Sequence, residues 1–196
     1  MNFEHWKHYA RGWLFHFIGR PNQAYAEYSL AFRLQPDDAQ SARHLASIAI
    51  GRKDYNDAER WFQETLRITP DDAASHYNLG FVRELRGARA EAITAFREAV
   101  RLQPTLDRAW YGMGLAHAGL GEHREAAEAF TEAVRLQPMN GEAYYQLGMA
   151  WHHAGERDKM AKTLEKLVGF EPKRARQLMR DSGRDDLAPL IPELPF

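Results

Sequence analysis

In a chain of 196 residues, 26 lysines and arginines face 27 aspartates and glutamates, and the net charge of −1 offers nucleic acid or an anionic membrane no electrostatic pull. With 44% hydrophobic and 27% charged residues the composition is that of a folded chain, which excludes general disorder. The lack of cysteine excludes disulfides, thiolate catalysis and cysteine-held zinc.

Taken from the N-terminus, the first feature is the largely apolar run Trp13-Leu14-Phe15-His16-Phe17-Ile18, preceded by Glu4, His5, Lys7 and Arg11. It is too short to cross a bilayer and lacks the form of a signal peptide, so no membrane insertion is predicted and a cytoplasmic location is the expectation. Trp6, Trp13, Phe15, Phe17 and Ile18 would surround the first helix with apolar groups, where a terminal helix should show a polar face. This predicts homo-oligomer formation through the first hairpin.

Prolines then recur at 36, 70, 104, 138 and 172, each 34 residues after the last. A fixed period of this length signals an array of repeats. With the proline set at position 32 of each unit, position 8 reads Gly12, Ala46, Gly80, Gly114 and Gly148, always tiny. Position 24 reads Tyr28, Phe62, Phe96, Phe130 and Leu164, always large. Such an alternation suits two packed helices, a small residue letting the partner approach and a ring filling the space beside it, so each unit is predicted to be a helical hairpin. The first helix of each should close near Gly19, Gly87, Gly121 and Gly155 in the left-handed conformation, with Lys53 as the exception. Pro21 and Asp54 suit the start of a second helix, the period's proline stops it, and Asp37, Asp38, Asp71 and Asp72 are acidic starters for the next hairpin.

Leu79, Gly80, Gly87, Ala92, Phe96, Ala99 and Pro104 in the third unit, and Trp110, Gly114, Gly121, Ala126, Phe130, Ala133 and Pro138 in the fourth, carry a specific resemblance. The pattern resembles the tetratricopeptide repeat (TPR) family, over about residues 5–172. The resemblance implies an all-α fold, a right-handed α-solenoid of antiparallel helix-turn-helix hairpins with a C-terminal capping helix. Residues 1–172 would form five TPR repeats, at about 5–38, 39–72, 73–106, 107–140 and 141–172. Arg11 at a usual apolar site, and Met160 and Leu167 in place of alanines, make the terminal repeats atypical, as ends of arrays are. Residues 173–196 would be the capping helix, to about Asp181, and a proline-rich apolar tail.

In a stack of such hairpins the first helices line the concave side. The residues expected to hold a peptide there are Tyr9, Trp13, Arg43, Ser47, Tyr77, Asn78, Phe81, Arg108, Tyr111, Leu115, Tyr145, Gln146 and Met149. Tyrosine presents an apolar body, a polar tip and little entropy to lose, while arginine and asparagine can orient a carboxylate or backbone amides. Co-chaperones of this family that hold a free C-terminus use sites corresponding to Arg43, Ser47, Asn78, Arg108 and Gly112, of which three of the five roles are met. The partner is therefore expected to be a protein or peptide, and the function that of an adaptor. The alternative is a self-assembling scaffold whose groove holds its own or a neighbour's tail, residues 187–196.

Arg33, Arg67, Arg101 and Arg135 form a column, but Glu64, Glu98 and Glu132 stand three residues before three of them, so ion pairs on helix surfaces are predicted and no nucleic-acid site. His5 and His8 share a helical face without further partners at ligand spacing, and no nucleophile elbow or phosphate-binding glycine loop occurs. No enzyme activity, metal or cofactor is expected.

Overall fold

The computed structural model of the protein describes residues 3–191. Residues 192–196, and with them the end of the tail expected in a groove, lie outside the described residues. The chain divides into two compact units, Met1–Gln103 and Pro104–Phe196.

The first unit holds three hairpins: α1 (Phe3–Phe17) with α2 (Pro21–Leu34), α3 (Ala39–Gly51) with α4 (Tyr55–Ile68), and α5 (Ala73–Leu85) with α6 (Arg89–Leu102). The second holds two, α7 (Asp107–Gly119) with α8 (His123–Leu136) and α9 (Gly141–His153) with α10 (Arg157–Val168). They are followed by α11 (Pro172–Asp181) and a 3₁₀ turn, Asp185–Leu190. No strand occurs among the described residues.

Local chemistry sets these boundaries. Gly19, Gly87, Gly121 and Gly155 take φ between 73° and 79°, and Lys53 stands in the same turn at φ 60° without a glycine's freedom. Gln35, Thr69, Gln103 and Gln137 end the second helices at φ between −142° and −128°, because each precedes a proline whose ring excludes the helical conformation from its neighbour. Pro172 behaves differently: it occupies the first turn of α11, where its missing N–H is no loss.

Within each hairpin a ring sits beneath the small residue. A Cβ added to Gly12, Gly80 or Gly114 would lie only 2.7–3.0 Å from ring carbons of Tyr28, Phe96 or Phe130, all three of which are buried. In the last hairpin Gly148 faces Leu178 of α11 instead, so this helix enters the core alongside Leu164 and Leu167. Positions 3, 7 and 10 of the later first helices, such as Ser41, Leu45 and Ile48 or Ser75, Leu79 and Val82, are buried. In α1 those positions are Lys7, Arg11 and Leu14, all exposed, so part of its terminal face is polar. On the outer surface Arg67, Arg101 and Arg135 each lie 2.8 Å from Glu64, Glu98 and Glu132, as the spacing predicts. Such exposed pairs contribute little to stability.

Candidate peptide-binding surface

The first helices of the first unit are tied together by polar contacts that also orient their exposed faces. Asp38 caps α3: its carboxylate accepts from Gln40 N–H at 3.0 Å and Ser41 O–H at 2.5 Å, and lies 2.9 Å from His5 Nε2 of α1. Burial pushes this carboxyl up, but the hydrogen bonds from Ser41, His5 and Gln40 together hold it below its ordinary value. Asp72 repeats the arrangement at α5, accepting from Ala74 N–H at 3.2 Å, Ser75 O–H at 2.7 Å and the Arg43 guanidinium at 2.9 Å. Between α1 and α3, the Tyr9 hydroxyl meets His44 Nε2 at 3.1 Å, and His44 stacks on Tyr28 with ring centres 4.5 Å apart. Burial, then the neighbouring His16, lowers the His44 pKa, which favours a neutral imidazole in this contact with Tyr9.

On this frame two repeat positions stand clear of the packing. At positions 9 and 13, α1 carries Trp13 and Phe17, 54% and 76% exposed, and α5 carries Phe81 and Leu85, 41% and 44% exposed. Trp13 and Phe17 stack with centres 5.5 Å apart. On α3 the same positions are Ser47 and Gly51, both exposed, and a Cβ on Gly51 would meet nothing within 4 Å. Two apolar walls therefore flank a low floor of small residues.

Of the thirteen residues expected to bind peptide, none is buried. In the first unit Tyr9, Arg43, Tyr77 and Asn78 are half-buried, and Trp13, Ser47 and Phe81 are exposed. Tyr77 leans on Phe96 with ring centres 6.0 Å apart. The charge of Arg43 is answered by Asp72, so an incoming carboxylate would have to compete with the cap of α5. In the second unit Arg108 is exposed on α7, while Tyr111, Leu115, Tyr145, Gln146 and Met149 are half-buried on α7 and α9. Tyr111 packs on Phe130 at 5.5 Å, and the Gln146 amide donates to Glu142 at 2.9 Å. Tyr145 donates to Asp181 of α11 at 2.7 Å, and this hydrogen bond, with burial, pushes its pKa up to about 12.

Sequence reasoning missed Gly51 and Leu85, which continue the position occupied by Phe17; aligning position 13 across the units would have found them. It also missed the partners of two histidines, Asp38 for His5 and, at 2.6 Å, Glu27 for His8. Among the described residues no cluster of three or more histidines and carboxylates is placed to hold a metal ion, and no helix is long and apolar enough to cross a membrane.

The family model of the cilia and flagella-associated protein 70 middle TPR-like domain matches residues 42–167, more than half the chain, and a tetratricopeptide repeat model matches residues 9–73. The chain is a tetratricopeptide-repeat protein. No curated protein matches it. Among solved structures, a MamA protein superposes with a TM-score of 0.82 at 24% identity, over 90% of this chain and 96% of that one. MamA 41-end from Desulfovibrio magneticus RS-1 gives 0.76 at 20% identity, over 92% and 98% of the two chains. YrrB, described as a TPR protein with an unusual peptide-binding site, gives 0.77 at 21% identity, over 88% and 90%. These likenesses establish the expected fold class, an all-α TPR solenoid.

Proposed function

We propose that this TPR protein is a non-catalytic adaptor that holds a peptide segment of a partner protein against the exposed faces of its first helices. The observation that carries the reading is the pair of apolar walls in the first unit, Trp13 with Phe17 and Phe81 with Leu85, standing on either side of Ser47 and Gly51. Four large apolar side chains left in water at two repeat positions suit an extended segment whose own apolar side chains enter the trough. Tyr9, Tyr77 and Asn78 supply polar edges, and Arg43 a cation that a ligand carboxylate would take over from Asp72. Arg108, Tyr111, Leu115, Tyr145, Gln146 and Met149 offer a comparable face in the second unit. That YrrB is described by its peptide-binding site supports the same use here.

The test is retention of a partner by immobilised full-length protein, with each bound protein identified and then confirmed with purified material. Trp13→Ala with Phe81→Ala removes one ring from each wall and is expected to weaken that interaction at least tenfold without lowering the melting temperature. Unchanged binding would refute the assignment. A second reading, assembly of copies through the first hairpin, is favoured by Phe3, Leu14 and Ile18, which are 77%, 49% and 50% exposed. Sedimentation at increasing concentration decides it, since a constant monomer mass would remove that reading.

A further inference from the structure

The last hairpin reverses a charge rule that its neighbours share. At positions 19, 22 and 26 of the second helix, the third hairpin carries Glu91, Thr94 and Glu98 and the fourth Glu125, Glu128 and Glu132. In α10 the same positions are Lys159, Lys162 and Lys166. All three lysines border a cleft of about 240 Å³ that opens between α8 and α10 over α9. Its apolar lining comes from Val134, Tyr144, Leu147 and Trp151. Lys159 stands 4.3 Å from the centre of the Trp151 ring and 3.6 Å from Glu156, while Lys162 and Lys166 have no ion pair among the described residues.

From this juxtaposition we infer a second binding site, separate from the first-helix surface, for an acidic peptide segment with one apolar anchor. The cleft is of a size for a single phenylalanine or leucine side chain. Its rim supplies two uncommitted ammonium groups and a third, Lys159, whose contact with Glu156 is long enough to be exchanged for a ligand carboxylate. Charge complementarity selects a short acidic segment over an extended polyanion. A nucleic acid following its backbone beyond the cleft would meet Glu125, Glu128 and Glu132 of the fourth hairpin, and the whole chain carries −1.

The test uses full-length protein and two fluorescein-labelled peptides, acetyl-DEEFLEDE-amide and its charge-reversed counterpart acetyl-KRRFLKRK-amide, followed by anisotropy. The acidic probe is expected to bind and to weaken as salt is raised. The triple variant Lys159→Glu, Lys162→Glu, Lys166→Glu, which installs the residues of the fourth hairpin and should fold as that hairpin does, is expected to weaken it at least about tenfold. Trp13→Ala with Phe81→Ala is expected to leave this binding unchanged, which separates the site from the adaptor surface. Equal binding by the triple variant, by the basic probe or by labelled oligothymidylate would overturn the inference. So would tighter probe binding after removal of residues 192–196, which would identify the chain's own tail as occupant. A fall in sedimenting mass on the triple substitution would assign the cleft to a second copy and overturn it as well.

Discussion

Replacing Gly80 by alanine should destabilise the first unit, although the same substitution usually stabilises a helix. The added Cβ would lie 2.7 Å from two ring carbons of Phe96 and 3.0 Å from a third. Comfortable carbon contacts need about 3.5–4.0 Å, so ring and helix must part by roughly 1 Å. The ring has little room to swing away: Phe96 is 1% exposed, and Tyr77 leans on it with ring centres 6.0 Å apart. Overpacking of this kind costs about 1–3 kcal/mol, against about 1 kcal/mol regained from helix propensity, leaving a net loss of about 1 kcal/mol. Gly51→Ala is the control, because its Cβ meets nothing within 4 Å and only the propensity gain, up to about 1 kcal/mol, remains. The second hairpin already carries Ala46 at the same position, fully buried, so Ala46→Gly should lose both propensity and a buried methyl, about 1.5–2 kcal/mol together. Urea unfolding followed by far-ultraviolet circular dichroism reads the three midpoints. If Gly80→Ala moves the midpoint upward with Gly51→Ala, the ring does not require that seat and the packing argument fails.

Tyr28 fills the first seat with a hydroxyl that is buried and has no hydrogen-bond partner among the described residues, so Tyr28→Phe, the residue used by three later hairpins, should raise the urea midpoint by about 1 kcal/mol equivalent. A lower midpoint would show that the hydroxyl is satisfied. Lys53→Gly should gain about 1 kcal/mol by relieving a left-handed φ of 60°, while Lys53→Ala, which keeps the strain, should not, as paired denaturation curves would show. His44 has a folded-state pKa below the ordinary histidine value of 6.5, so on acidification the unfolded chain takes up the proton first. Its contribution is complete above 6.5 and declines as the pH falls from there towards the lower folded value. Melting temperatures between pH 7.5 and 5 should show this decline, and His44→Gln should flatten it.

The hairpins could be read from sequence because their punctuation is local. A glycine that must turn left-handed, a proline that spoils its neighbour's helical geometry and an aspartate that caps the following N–H each act within a few residues. Asp54 was legible as a cap for this reason, and its carboxylate does accept from Asp57 N–H at 3.1 Å. Contacts one repeat apart were not legible. Arg43 reads as a free cation for a ligand, and only the folded chain brings Asp72, 29 residues later, to 2.9 Å from it. The last proline was misleading in the same way: residue type alone cannot distinguish a proline that stops α8 from one that opens α11. Leu178 beneath Gly148 likewise breaks the pattern of a ring sixteen residues on, because the final hairpin packs against a helix outside the period.

The division of labour within a first helix also explains why its exposed rings point to a partner. Stacking in the first unit uses positions 3, 7 and 10 of α3 and α5, and the ring seat uses position 8. Positions 9 and 13 are left outside both, so the fold places no demand on them, as Ser47 and Gly51 demonstrate on α3. Large apolar residues at those positions on α1 and α5 expose hydrocarbon and aromatic surface to water without a folding role to offset it. Single exposed apolar residues are ordinary in folded proteins, but Trp13, Phe17, Phe81 and Leu85 fall in register on both sides of a small-residue gap. Register of this kind is what an extended segment with side chains at regular intervals would match. It follows that shortening both walls should reduce partner binding and improve the solubility of the free protein together, whereas a purely structural role would couple binding loss to unfolding.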